Sequence, residues 1–299
     1  MAEEAKRAEK GAEKRDDTKQ PKKAGAKPDL ASIAGVVVAI GGIMGGLLLE
    51  GGKIRDVTQL TAAMIVLGGT IGAVMVATPL NTLLGGGKRL ISVFMDSTPE
   101  LGGLIEEVIG YATKARKAGL VSLEHEAALI EDPFLRKALN LAVDGTDLQE
   151  IRNMLELEIE LSEQHIEAEA KVFESAGGFA PTIGIIGAVL GLIQVMKNLA
   201  NIDEVGHGIA VAFVATVYGV ASANLLFLPA ANKIKARAHA ETQRKELIRE
   251  GVSGIVEGLN PKLIRVKLEA YADAHPSKEK KEKAAKAGKE AEAPQGAEA

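Results

Sequence analysis

Inside the apolar blocks of this 299-residue chain the side chains able to take part in chemistry are few and uncharged: Thr61, Thr70, Thr78, Thr182, Gln194, Thr216, Ser222 and Asn224, with His207 at an edge. Hydroxyls and amides can ligate an ion or bond back to a carbonyl of their own helix, but at neutral pH they do not carry protons. An acid, a base or a histidine at membrane depth is expensive to bury and marks many ion pathways. None of the four apolar blocks contains one. Either the protein moves no ions, or a second polypeptide brings the ionisable group.

Two prolines accompany these residues, Pro181 near the start of the third block and Pro229 at the end of the fourth. Pro suits helix beginnings and follows helix ends, so both can be punctuation. If they share one membrane depth, they can instead form a pair of hinges. Outside the blocks, Lys114, Arg116 and Lys117 precede Glu124, Glu126, Glu131 and Asp132. Such a stretch reads first as a solvated helix face. His125 and His165 have no partners at metal-ligand spacing and read as surface residues. The GGGKR at Gly85–Arg89 lacks the spacing of a phosphate loop.

Composition narrows the classes further. The chain has no Cys, which removes disulfides, thiolate nucleophiles and Cys-based zinc or iron–sulfur sites. A net charge of −4 offers no basic face for nucleic acid. No nucleophile, base and oxyanion donor come together as an enzyme requires, and no cofactor or metal site is expected.

The elements that position these residues follow from the charge pattern. Ala31–Leu49 is free of charge and long enough, at 1.5 Å per helical residue, to cross a hydrocarbon core of roughly 30 Å. Further charge-free runs cover Leu60–Gly87, Ser175–Met196 and Gly208–Asn232. The reading is an all-α, polytopic membrane protein with four spans, two at 30–87 and two at 177–232. Residues 88–176 are charged and amphipathic, with Leu148, Ile151, Leu155, Ile159 and Ile166 at helical spacing, and are expected to form a water-exposed helical domain. A C-terminal helix is expected over 233–273, and charged tails at 1–29 and 274–299 are expected to be disordered. The basic N-terminal tail, Lys88, Arg89, Lys233, Lys235 and Arg237 fall on one side of the membrane, which places both termini and the large domain in the cytoplasm. Small residues four apart, Gly41/Gly45, Gly42/Gly46, Gly68/Gly72, Gly187/Gly191 and Gly219/Ala223, suit close helix contacts, within this bundle or with other subunits.

Two stretches, APTIGIIGAVLGLIQVMKNL from Ala180 and GIAVAFVATVYGVASANLLFLPAANKIK from Gly208, closely resemble the third and fourth membrane helices of the MotA family of flagellar motor stator subunits. The resemblance extends to SIAGVVVAIGGIMGGLLLEGG at the first span, KARKAGLVSLE from Lys114 and LQEIRNMLELEIE from Leu148, and covers roughly residues 30 to 270. It implies an ion-driven stator in the bacterial inner membrane: a ring of five such subunits around a MotB-type, single-span partner. That partner supplies the ion-carrying aspartate and a peptidoglycan-binding domain. The family's hinge prolines fall on Pro181 and Pro229, and its arginine and glutamate that contact the rotor switch complex fall on Arg116 and Glu124. Sodium-type members carry a hydroxyl seven residues after the third-span proline, where this chain has Ala188; Thr216 matches a threonine shared more widely, and Thr182 lies beside the proline. The resemblance therefore favours proton over sodium. The related ExbB and TolQ group has one span before its large insertion, whereas two precede it here. A non-catalytic membrane scaffold gives no reason for the paired prolines.

Overall fold

A computed structural model of the protein describes residues 27–96 and 101–274, nearly all of them helical. The tails expected to be disordered lie, up to residue 26 and from residue 275, outside the described residues. Residues 27–29, expected to belong to the first tail, are instead part of the fold. Lys27–Pro28 (β1) pairs antiparallel with Met95–Asp96 (β2). Asp29 is buried and caps α1 (Leu30–Leu49), accepting from the N–H groups of Ala31 (3.2 Å) and Ser32 (3.3 Å). Its own N–H donates to the Phe94 carbonyl at 2.8 Å. A carboxylate can be buried here because it is paired, with Lys233 and with Arg237 (3.5 Å).

The second apolar run is two helices. α2 (residues 60–77) contains a π-helical turn, Met64–Gly68, and ends at Thr78. Thr78 is extended (φ −131°, ψ 135°), as the residue before a proline prefers. After Pro79 the chain restarts as α3 (Leu80–Val93), so the glycines and cations of Gly85–Arg89 lie within a helix.

The charged domain opens with α4 (Leu101–Ala118), which ends at Gly119 in a positive-φ turn, followed by α5 (Glu124–Leu129). α6 (Pro133–Val143) starts on Asp132, whose carboxylate accepts from the N–H groups of Phe134 (2.8 Å) and Leu135 (3.1 Å), with proline at its first position. α7 (Leu148–Lys197) then runs 50 residues, roughly 75 Å, through Pro181. α8 (Ile202–Ala221), a π-helical turn (Ser222–Phe227) and α9 (Leu228–Val256) form a second continuous helix of 55 residues. α10 (Pro261–Ala274) closes the described chain. The charge boundaries at 176 and 232 thus fall inside helices: charge marks where water begins, and nothing there interrupts the helical hydrogen bonding.

The charged domain has its own core, in which Val108 of α4, Leu139 of α6, Leu155 of α7, Leu247 and Ile248 of α9 and Leu268 of α10 are fully buried. Each such side chain contributes about 1.5–3 kcal/mol. The long helices lie antiparallel, with rungs spaced along them: Arg152 to Glu257 (2.6 Å), Lys245 to Ser162 (2.7 Å) and Lys235 to Glu174 (2.7 Å). α10 docks through the paired nitrogens of Arg265 on Glu106, which hold that carboxyl below its ordinary range, and through Tyr271.

Within the membrane the small-residue faces divide. A Cβ on Gly191 would lie 2.7 Å from the Gly208 carbonyl oxygen, and one on Gly219 would lie 2.6 Å from that of Ala180. Backbone therefore meets backbone between α7 and α8. Around Gly41, Gly42, Gly45, Gly46, Gly68 and Gly72 a Cβ would meet nothing within 4 Å. α1 buries no residue at all.

Gly219→Ala should therefore push α7 and α8 apart and cost about 1–3 kcal/mol. Gly42→Ala should leave the melting temperature in detergent unchanged or raise it, through a gain of about 0.5–1 kcal/mol in helix preference. Equal melting curves for the two variants would contradict the close approach.

The hydroxyl of Tyr271 donates to Glu246 Oε2 at 2.6 Å; burial, with that carboxylate, pushes its pKa up to about 12. The folded value exceeds the unfolded one of about 10, so this stabilisation is complete below about pH 10 and is lost as pH climbs through about 12. Unfolding followed by circular dichroism should show a destabilising step between those pH values that Tyr271→Phe lacks.

Candidate functional site

The turns carrying the two prolines meet. Pro181 has no N–H for the carbonyl of Gly177, four residues earlier. A Cβ on Gly177 would lie 2.5 Å from Leu228 Cδ2, so the glycine lets the residue before Pro229 seat against α7. One residue before Pro181, Ala180 touches Gly219 of α8. Pro181 lies inside α7, far from either end, whereas Pro229 is the second residue of α9, at its junction with the preceding turn in a helix that runs on without a break. Pro229 follows directly on the π-helical turn Ser222–Phe227. A proline ring clashes with the carbonyl four residues before it, and a widened turn is one way to relieve that clash.

Thr182 and Thr216 donate their hydroxyl protons to carbonyls of their own helices, Phe179 (2.8 Å) and Ala212 (3.2 Å). Each oxygen keeps lone pairs with which to accept or ligate. Thr216 sits beside one of the close approaches of α7: a Cβ on Gly184 would be 3.5 Å from its Cα. Ala188 follows Gly187, whose face packs on Ala215 of α8 and Ile65 of α2. Pro181, Ala188, Thr216 and Pro229 thus lie beside the contact between α7 and the helix formed by α8 and α9, whereas Thr182 is exposed and apart from it.

Arg116 and Glu124 lie apart from these, in the charged domain. Arg116 is in the last turn of α4, Glu124 is the first residue of α5, and the tight turn at Gly119 brings the two segments back together. Lys114 and Glu126, each two residues outward, close an ion pair across the turn at 2.5 Å. Arg116 and Glu124 are exposed and make no ion pair or hydrogen bond among the described residues.

Three polar clusters were not foreseen. Asp29 with Lys233 and Arg237 ties the foot of α1 to α9; an aspartate just before an apolar run was a legible capping signal. Glu169 of α7, also buried, receives Arg89 of α3 at 2.6 Å and lies 3.3 Å from His165. A Cβ on Gly85 would collide with this carboxylate, which accounts for a glycine at that point in α3. Tyr218 of α8 donates to the Val57 carbonyl (2.6 Å) and accepts from the Gln59 N–H (3.2 Å), pinning the loop before α2.

Residues 126–247 match the MotA/TolQ/ExbB proton channel family, and residues 33–109 match the Motility protein A N-terminal family. Motility protein A of Bacillus subtilis (strain 168) is 36% identical over 251 residues, covering 82% of this chain and 92% of that protein. Chemotaxis protein PomA of Vibrio alginolyticus is 32% identical over 243 residues, covering 81% and 95%. Among solved structures, the MotAB of C. jejuni superposes with a TM-score of 0.79 at 35% identity, covering 84% of this chain and 98% of that one. The flagellar MotAB stator complex of Bacillus subtilis gives 0.74 at 34%, covering 79% and 93%. Sequence, span arrangement and fold agree, and the chain belongs to the motility protein A branch of the MotA/TolQ/ExbB proton channel family.

Proposed function

We propose that this chain is the multi-pass subunit of an ion-driven flagellar stator in the bacterial inner membrane, with both termini and the charged domain in the cytoplasm. The observation that carries the reading is the meeting of the Pro181 and Pro229 turns in spans that hold no ionisable residue. A bundle built this way has a place to bend and no carrier of its own. A MotB-type single-span partner supplies the carrier, an aspartate, and anchors the complex to peptidoglycan. Support comes from relatives whose solved structures are MotAB complexes. The bare glycine faces on α1 and α2 leave room for packing against further copies, in a ring of five.

The coupling ion in this reading is the proton. Ala188 offers no hydroxyl where sodium-type members of the family carry one. Neutralising the partner's aspartate at low dielectric changes the local field at each cycle. The turns at Pro181 and Pro229, each short of a backbone hydrogen bond, bend in response and swing the charged domain. Arg116 and Glu124 then engage the rotor switch complex, through charges weak individually and screened by salt.

Flux measurement tests the reading. Proteoliposomes holding this chain alone should pass neither protons nor sodium, and co-reconstitution with the MotB-type partner should give proton flux that an Asp→Asn change in the partner's span abolishes. Substantial flux from the chain alone would sink the proposal, and flux that requires sodium would overturn the choice of ion.

Motility reports the force path. Pro181→Ala and Pro229→Ala should leave insertion and assembly near normal while sharply reducing swimming. The reversals Arg116→Glu and Glu124→Lys should harm motility more than neutralisation does and be partly rescued by reversed charge on the rotor. Unimpaired swimming in both proline variants would defeat the hinge, and unimpaired swimming in both reversals would defeat the rotor contact.

A further inference from the structure

The segment that joins α4 to α5 carries two apolar stripes, and the fold uses only one of them. Leu123, Ala127 and Ile130 are buried in the core of the charged domain. Val121, Ala128 and Leu129 lie on the other side of the same segment, a single 3₁₀ turn (Leu120–Leu123) that runs into α5, and are exposed. Val121 (68%) and Leu129 (70%) are the most exposed large apolar side chains within residues 101–174. Spacings of three, four and eight from Val121 put Glu124, His125 and Leu129 on one outward face. Arg116 and Lys117 stand exposed across Gly119 from it. The segment is also held firmly. Gly119 turns the chain at φ 84°, the Ser122 hydroxyl donates to the Gly119 carbonyl at 2.6 Å, and the Lys114–Glu126 pair spans the turn.

We propose that Val121 and Leu129 are the apolar anchors of the rotor contact, and that they meet an apolar patch on the rotor switch complex flanked by an acid within reach of Arg116 and a base within reach of Glu124. This rests on the assignment of Arg116 and Glu124 to that contact, and adds what their charges do not supply. Exposed charges steer two surfaces together and set their register, but they add little affinity and are screened beyond about 10 Å at 0.1 M salt. Two apolar side chains that leave water on docking give attraction that salt does not weaken. An apolar centre with a charged rim, on a turn already fixed in place, is the composition of a protein-binding patch. A neighbouring copy is the other possible cover. It would bury Arg116 and Glu124 together with the stripe, so the same face could not also serve the rotor.

The test measures binding of the assembled complex, this full chain with its MotB-type partner, to isolated rotor rings at about 0.1 M and about 1 M salt, conditions that differ about threefold in screening length. The natural complex should bind at both. Arg116→Gln made together with Glu124→Gln should weaken binding at the lower salt and make little difference at the higher. Val121→Ser and Leu129→Gln should each weaken binding about tenfold at both. Leu129→Met, which keeps the apolar surface, should bind normally, and so should Leu263→Gln, a change at an exposed leucine of α10. Binding that vanishes at the higher salt, or that survives undiminished in the double variant Val121→Ser with Leu129→Gln, would overturn the anchors and leave the rotor contact standing. No binding of the natural complex at either salt would sink the rotor reading and the anchors with it. Loss of the assembled complex in the double variant, read by native mass spectrometry, would assign the stripe to a neighbouring copy and overturn the proposal.

Discussion

Two helices in hydrocarbon gain nothing by hiding apolar surface from each other's solvent, so what holds α7 to α8 is nearness. Gly184, Gly191, Gly208 and Gly219 let the two backbones approach until a single methyl group would strike a carbonyl. That contact fixes the register of the long helices, and most of the structure follows from it. α2 can pack only where Ile65 and Gly69 find the ridge formed by Gly187 and Ile183. The Pro181 and Pro229 turns come opposite each other because Ala180 is already held on Gly219.

Where the bundle leaves the membrane, the glue changes from nearness to charge. Glu169 is buried against Gly85 and held by Arg89, while Asp29 is held by Lys233 and Arg237. These carboxylates sit on α7 and at the foot of α1, and their cations come from α3 and α9. Removing one partner of such a buried pair leaves an uncompensated charge, which is far worse than never having built the pair. The neck is therefore firm in the two places where α1 and α3 attach, and between them the proline turns are the points that lack backbone hydrogen bonds.

Much of this was legible in the sequence and some was not, for physical reasons. Charge-free length gives the number of spans, because no other arrangement satisfies a backbone in lipid. The same signal misplaced the helix ends. It ran Leu60–Gly87 together, although Pro79 forces Thr78 out of the helical region, and it divided α7 and α9 at residues where only the solvent changes. Glycine spacing showed which faces could pack closely, yet Gly187/Gly191 and Gly42/Gly46 are indistinguishable as text. Only the fold tells that the first pair meets α8 and the second meets no protein atom. Pairings such as Arg89 with Glu169, or Tyr218 with Val57, join residues far apart in the chain, and nothing local announces them. Asp29 was the exception, readable as a cap and missed because the charged tail before it drew the boundary one element too late.

The unbroken passage of α7 and α9 from the membrane into the core of the charged domain has a mechanical meaning. From Pro229 to Val256 is 27 residues, an arm of about 40 Å, so each degree of bend at the proline carries the far end about 0.7 Å. From Pro181 back to Leu148 is 33 residues, an arm of about 50 Å. The arms are tied at both ends, by Gly177 on Leu228 near the prolines and by the shared core that holds Leu155, Leu247 and Ile248. Two bars of unequal length, tied at both ends, cannot swing separately. Under the hinge proposed above, a flexing at either proline would be shared by both arms and would reach the far ends as a single tilt.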